Sequence, residues 1–291
     1  MASMRDIKRR KESIQSTGQI TKAMKLVSTV KLQKAKNHAE ESKPYFDLMY
    51  HAVTSILSKS GDISHRYLRP GASSRKAVIV ITSNRGLAGG YNSNVTKLIT
   101  QGDFKKEDLV IYAVGRKGKE SLERQGYEIR KDYSEVMNGP MFADAVQIGS
   151  AVLEAFADDT VGEIYLAYTI FKNTVTHIPT LLKLLPIQDD MLDRDGEEEG
   201  TAADRLTLMN YEPAAEEALD IIIPKYINSL IYGALVEAVA SENGARMQAM
   251  DSATNNAEDM ISDLSLKYNR ARQGSITQEL TEIVAGASAI E

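Results

Sequence analysis

From Pro224 to Glu291 the chain contains no further proline, and only Gly233, Gly244, Gly274 and Gly286 interrupt good helix formers. A helix over Pro224–Ser288 has about 65 residues and runs roughly 97 Å at 1.5 Å per residue. Globular helices average roughly 11–12 residues, so no compact domain encloses this one. It must project and find a partner along its length. One apolar line reads Ala249, Ala253, Ala257, Met260, Leu264, Tyr268 and Ala271. Its steps of 4, 4, 3, 4, 4, 3 average nearer 3.67 than 3.5, which predicts a straight or slightly right-handed helix pair. Four of the seven are alanine, so the partner backbone can come close.

The partner is expected at the other end of the chain. Ser3 to about Leu57 reads as a second long helix, opened by a capping box of Ser3 and Asp6. Ile7, Ile14, Ile20, Met24 and Val27 mark one face, continued by Tyr45, Met49, Ala52 and Ile56. Pro44 should kink this helix or divide it. The two terminal helices are expected to pair antiparallel.

Between them the period changes. Strands are predicted at Lys76–Thr82, Leu109–Val114, Tyr127–Tyr133 and Glu163–Phe171, alternating with helices at Asn92–Gln101, Arg116–Gln125 and Met141–Phe156. Val175–Ile187 should return antiparallel, at an edge because it holds Pro179 and Pro186. The acidic run Asp189–Asp204 is read as a loop, Leu206–Tyr211 as a last short strand, and Pro213 as the first turn of a short helix through Ile222. The expected fold is α/β: a long antiparallel coiled coil of the terminal helices, plus a Rossmann-like, doubly wound α/β domain. The boundaries are residues 1–58, 75–211 and 212–291.

The charge is uneven. Between Met1 and Lys36 ten bases face two acids, whereas between Asp189 and Asp204 eight acids face only Arg194. Such asymmetry points to partners of definite sign. Nucleic acid is not the expected one, because the net charge is -5 and no aromatic residues are interleaved with the bases. No apolar run is long enough to span a bilayer. Without cysteine there is no disulfide and no thiolate metal site.

The residues offer little chemistry. Ser83–Asn92 follows a strand and opens a helix, the place of a dinucleotide loop, but it fits neither glycine fingerprint. Gly115–Lys119 could cradle a phosphate, but reads as a solvated turn. The four histidines show no metal spacing and are taken as scattered surface positions. No nucleophile elbow occurs. No catalytic, cofactor or metal residue is assigned.

Several stretches together resemble the gamma subunit of F-type ATP synthases of bacterial type. They are Arg5–Arg10 with Gln19–Val27, the turn Asn84–Asn92, Ser241-Glu242 with Ala245–Met250, and Ile276–Ala287. The resemblance runs from end to end. It implies the central rotor shaft, which couples proton flow through the c-ring to ATP synthesis or hydrolysis at the beta subunits and has no active site of its own. It implies as partners the alpha and beta subunits of the catalytic hexamer, the epsilon subunit and the c-ring, with no membrane span. The expected place is peripheral, on the cytoplasmic face of the bacterial cell membrane. Ala88 stands where many relatives have cysteine, which a small buried position tolerates.

On that reading, Arg246 and Gln273 hydrogen-bond a beta-subunit loop. Lys8, Arg9, Arg10, Lys11, Lys22 and Lys25 form a basic track toward acidic beta-subunit loops. Leu280, Ile283, Val284, Ala287 and Ile290 form an apolar bearing at the tip. The alternatives are a nucleotide-binding α/β enzyme working from the Ser83–Asn92 turn and a passive coiled-coil tether.

Overall fold

The computed structural model describes residues 4–59, 65–187 and 215–288. The expected acidic loop, the short strand at Leu206–Tyr211 and the helix start at Pro213 lie outside them. The structure forms two compact units. One comprises residues 1–29 and 246–291, the other residues 30–245.

The larger unit is built on a five-stranded sheet of β1 (Lys76–Ile81), β2 (Leu109–Val114), β3 (Glu128–Asp132), β4 (Glu163–Phe171) and β5 (His177–Leu185). Their spatial order is β3-β2-β1-β4-β5. The first four strands are parallel and β5 is antiparallel to β4. The expected doubly wound sheet with an antiparallel edge is therefore present. Pro179 is tolerated in β5 because an edge strand can lack one ladder donor.

Helices α2 (Tyr91–Thr100) and α3 (Arg116–Arg124) connect β1, β2 and β3 in turn, and α4 (Phe142–Ala157) connects β3 to β4. Val95, Ile99 and Leu122 pack with Val78, Val80 and Ile111 on one face. Ile148 and Val152 of α4 pack with Ile79, Ile164 and Leu166 on the other, together with Ile227 and Ile231. The strand order reverses between β1 and β4, which creates a crevice outside their carboxyl ends.

The two long helices are α1 (Met4–Lys59) and α5 (Ala215–Ser288). The second corrects the sequence reading, and the first runs through the proline expected to kink or divide it. Pro44 lies inside α1 and does not divide it. A proline inside a helix costs about 3 kcal/mol, but the flanking rings are anchored: Tyr45 meets Phe142 edge to face and Phe46 stacks on Tyr226. Likewise α5 starts at Ala215 rather than Pro224, and absorbs the short helix expected before it. Leu219, Ile223 and Ile227, spaced by four, are all fully buried, so one apolar stripe holds both sides of Pro224 to the sheet.

In the smaller unit the two helices run antiparallel: Gly18 faces Ala257, Thr21 bonds Thr254, and Lys25 bonds Asp251. The covered positions on α5 include Met250, Thr254, Ala257, Ile261, Leu264, Tyr268, Ala271 and Ser275. On α1 they include Met4, Ile7, Lys11, Ile14, Gly18, Thr21, Lys25 and Ser28. Both lines alternate steps of four and three, the seven-residue repeat of a left-handed supercoil. The seam read from sequence is corrected at one position, its other six residues being covered. Ile261 takes the place given to Met260, which is exposed, and Ile20 and Val27 point outward.

Candidate functional site

The first place to look for chemistry is the carboxyl end of the sheet. After β1 the chain turns through Leu87 (φ +63°) and Gly89 (φ +55°). The turn is tied to itself. Ser83 donates its hydroxyl to the Arg85 carbonyl, and the Asn92 side chain accepts from the Ser83 N–H. Ala88 is buried, as its small size allows.

A phosphate at the start of α3 would need free backbone N–H groups, and the chain already occupies them. Arg116 N–H donates to the Asn84 side chain, Lys117 N–H to the Ser83 carbonyl, and Gly118 N–H to the Thr82 hydroxyl. Gly115 has φ +110°, and a Cβ there would lie 2.0 Å from the Thr82 carbonyl oxygen. The glycines serve close packing of α3 on the strand end, which is why the sequence imitates a phosphate cradle.

The crevice between β1 and β4 is also filled. The Tyr91 hydroxyl donates to the Ala238 carbonyl of α5 at 3.2 Å. The Ser241 hydroxyl donates to the Thr169 carbonyl at the end of β4 at 3.1 Å. Gly244 packs on His177 so closely that a Cβ would come within 2.6 Å of its Nε2. Residues 238–244 of α5 thus lie where a doubly wound enzyme holds its ligand.

Two of the four histidines are not surface residues. His65 is buried against Tyr67, and its Nε2 lies 3.3 Å from Asp220. Burial also lowers the His177 pKa. No cluster of metal-ligating side chains occurs among the described residues. A cluster of held charges joins three strands. Glu163 on β4 meets Lys76 on β1 at 2.5 Å and Lys183 on β5 at 2.7 Å, and accepts the Tyr165 hydroxyl. Burial would raise the Glu163 carboxyl, but hydrogen bonds from Lys183, Lys76 and Tyr165 hold it at about 2. Burial and the bond to Glu163 push Tyr165 up to about 12.

The residues assigned to partners scatter over both long helices. Lys8, Arg9, Arg10 and Lys22 are exposed. Lys11 and Lys25 sit on the seam, Lys25 tied to Asp251. Gln273 is exposed, whereas Arg246 is only 8% exposed. Leu280, Ile283 and Val284 are exposed on the last turns of α5. The side chain of Ala287, and Ile290 entirely, lie outside the described residues. The sequence reading missed Ile20 and Leu26 as outward-facing apolar residues. A strict heptad count from Met4 would have found them, because it puts neither on the seam.

A doubly wound domain with its ligand crevice filled by its own helix, in a chain whose ends pair as a two-helix coiled coil, defines a class. It is a coiled-coil protein with an attached doubly wound domain. Residues 3–290 match the ATP synthase family. The chain is 75% identical to the ATP synthase gamma chain of Lachnoclostridium phytofermentans over the full length of both. It is 41% identical to the ATP synthase gamma chain, sodium ion specific, of Acetobacterium woodii, over 99% of each. Among solved structures it resembles a chain of the mitochondrial ATP synthase rotor of Euglena gracilis, with a TM-score of 0.67 at 18% identity over 94% of this chain and 98% of that one. The chain belongs to the ATP synthase gamma chain family. As a gamma chain it is a subunit of ATP synthase.

Proposed function

We propose that the chain turns inside a hexamer of alpha and beta subunits, and that proton flow through a c-ring drives it. The observation that carries this reading is the filled crevice. The domain that would be catalytic in an enzyme of this fold is fastened to the long helix instead, as a shaft requires. Epsilon and the c-ring are the proposed partners of the doubly wound domain, on the cytoplasmic face of the membrane.

The exposed bases Lys8, Arg9, Arg10 and Lys22 are proposed to meet acidic beta-subunit loops, with Lys11 and Lys25 at the margin of that track. Exposed ion pairs are worth about 0–1 kcal/mol each, which suits contacts that break at every step. Leu280, Ile283 and Val284, with Ala287 and Ile290, are proposed to centre the tip in an apolar collar. Dispersion has little angular preference, so such a bearing turns freely. Gln273 and Arg246 are proposed to bond a beta-subunit loop. Gln273 reaches outward, and Arg246 must be approached from the covered side of its helix.

The test is purification of ATP synthase from cells in which the chain carries an affinity tag. Recovery of alpha, beta, epsilon and c subunits supports the reading, and recovery of the chain alone overturns it. The tether alternative is separated by truncating α5 back to Asp251. A tether loses assembly, while a shaft loses ion pumping before it loses ATP hydrolysis.

A further inference from the structure

Apolar packing holds α5 to the doubly wound sheet through Leu230, Ile231, Ala234 and Leu235. Such contacts are non-directional and allow a helix to turn or slide by small amounts. The carboxyl end of the sheet adds a different kind of contact. Ala238, Ser241 and Gly244 are spaced by three and lie along one side of α5. They meet α2, β4 and β5 respectively.

Two of these contacts are buried and directional. Tyr91 is 4% exposed and Ser241 is fully buried, so water does not compete for either hydroxyl. Tyr91 is the first residue of α2 and lies within the self-tied Ser83–Asn92 turn, so its ring is mounted on braced backbone. Ser241 brings a donor to the Thr169 carbonyl. At the third contact only a glycine lets α5 close on His177.

We infer that Tyr91 and Ser241 are positioning residues that fix the rotational setting of α5 on the sheet, so that twist is carried between helix and sheet without slip. The part concerning twist rests on the rotor reading above. The crevice that elsewhere in this fold holds a ligand here holds a latch.

The test uses the full chain with Tyr91→Phe, Ser241→Ala and the pair, and Ile79→Val as a control that weakens the core away from the latch. Hydrogen exchange of the amides at 238–244 is measured on the isolated chain. Ions pumped per ATP hydrolysed are measured on the complete ATP synthase. Each lost hydroxyl should speed exchange at 238–244 about fivefold. The double variant should at least halve pumping per ATP while subunit composition is unchanged, and Ile79→Val should leave that ratio alone. Unchanged exchange at 238–244 overturns the latch. So does an unchanged pumping ratio in an intact complex that carries the double variant. If the chain never enters an ATP synthase, the rotor reading has failed, and the exchange measurement decides the latch by itself.

Discussion

Thr21 and Thr254, 233 residues apart in sequence, share a hydrogen bond of 2.8 Å between their hydroxyls across the antiparallel helices. The Gly18 carbonyl lies within reach of Thr21 and the Met250 carbonyl within reach of Thr254, so one hydroxyl donates across the pair while the other donates to its own helix. A slip of one turn breaks the pair. Thr21→Val, which keeps the shape and removes the hydroxyl, should therefore cost about 1 kcal/mol. It should loosen register more than it lowers helix content. Distances between spin labels on the two helices check this: a broader distribution is expected, with unchanged circular dichroism.

One turn away, Lys25 and Asp251 lie 2.5 Å apart, with 40% and 47% of their side chains exposed. A pair so open to solvent should contribute less than about 1 kcal/mol. Thermal unfolding of Lys25→Ala, Asp251→Ala and the double variant should give a coupling energy below that figure, shrinking further in high salt.

Gly18 sets how close the helices come. A Cβ there would lie 3.3 Å from the Ala257 Cβ. Gly18→Leu cannot be housed without driving the helices apart, and overpacking of this kind costs about 1–3 kcal/mol. Calorimetry should show a lower melting temperature for Gly18→Leu than for the parent.

The Glu163 cluster predicts a response to acid. Its carboxyl is held at about 2 in the folded chain, against an ordinary value of 4.5. A depressed folded pKa contributes stability that is present above pH 4.5 and is lost as pH falls toward 2. For this largely covered group the contribution is up to about 3 kcal/mol. Denaturant unfolding between pH 5 and 2 should show the wild-type chain losing stability more steeply than Glu163→Gln. Parallel curves for the two would refute the assignment.

The sheet was legible in the sequence because its strands are runs such as Ala77–Ile81, which only a buried strand explains. The seam was not. Thr21, Lys25, Ser28, Asp251 and Thr254 stand on it or beside it, and a search for apolar periodicity passes over them. It settles instead on Ile20 and Val27, which face outward. Pro224 misled for a related reason. A local rule about proline yielded to tertiary packing by Leu219 and Ile223. The burial of His65 and the partial covering of His177 involve Asp220 and Gly244, distant in sequence, and no local pattern announces them. The candidate surface was legible only through the family resemblance, which supplied Arg246 and Gln273, and the structure finds Arg246 covered.

The central claim is that this chain rotates. It contains no cysteine, so a single Lys105→Cys substitution at an exposed position gives one attachment point for an optical probe. With the catalytic subunits of the complete complex fixed to a surface, adding ATP should turn the probe in one direction, at a rate that follows hydrolysis. ATP hydrolysed at the full rate beneath a stationary probe would contradict the account.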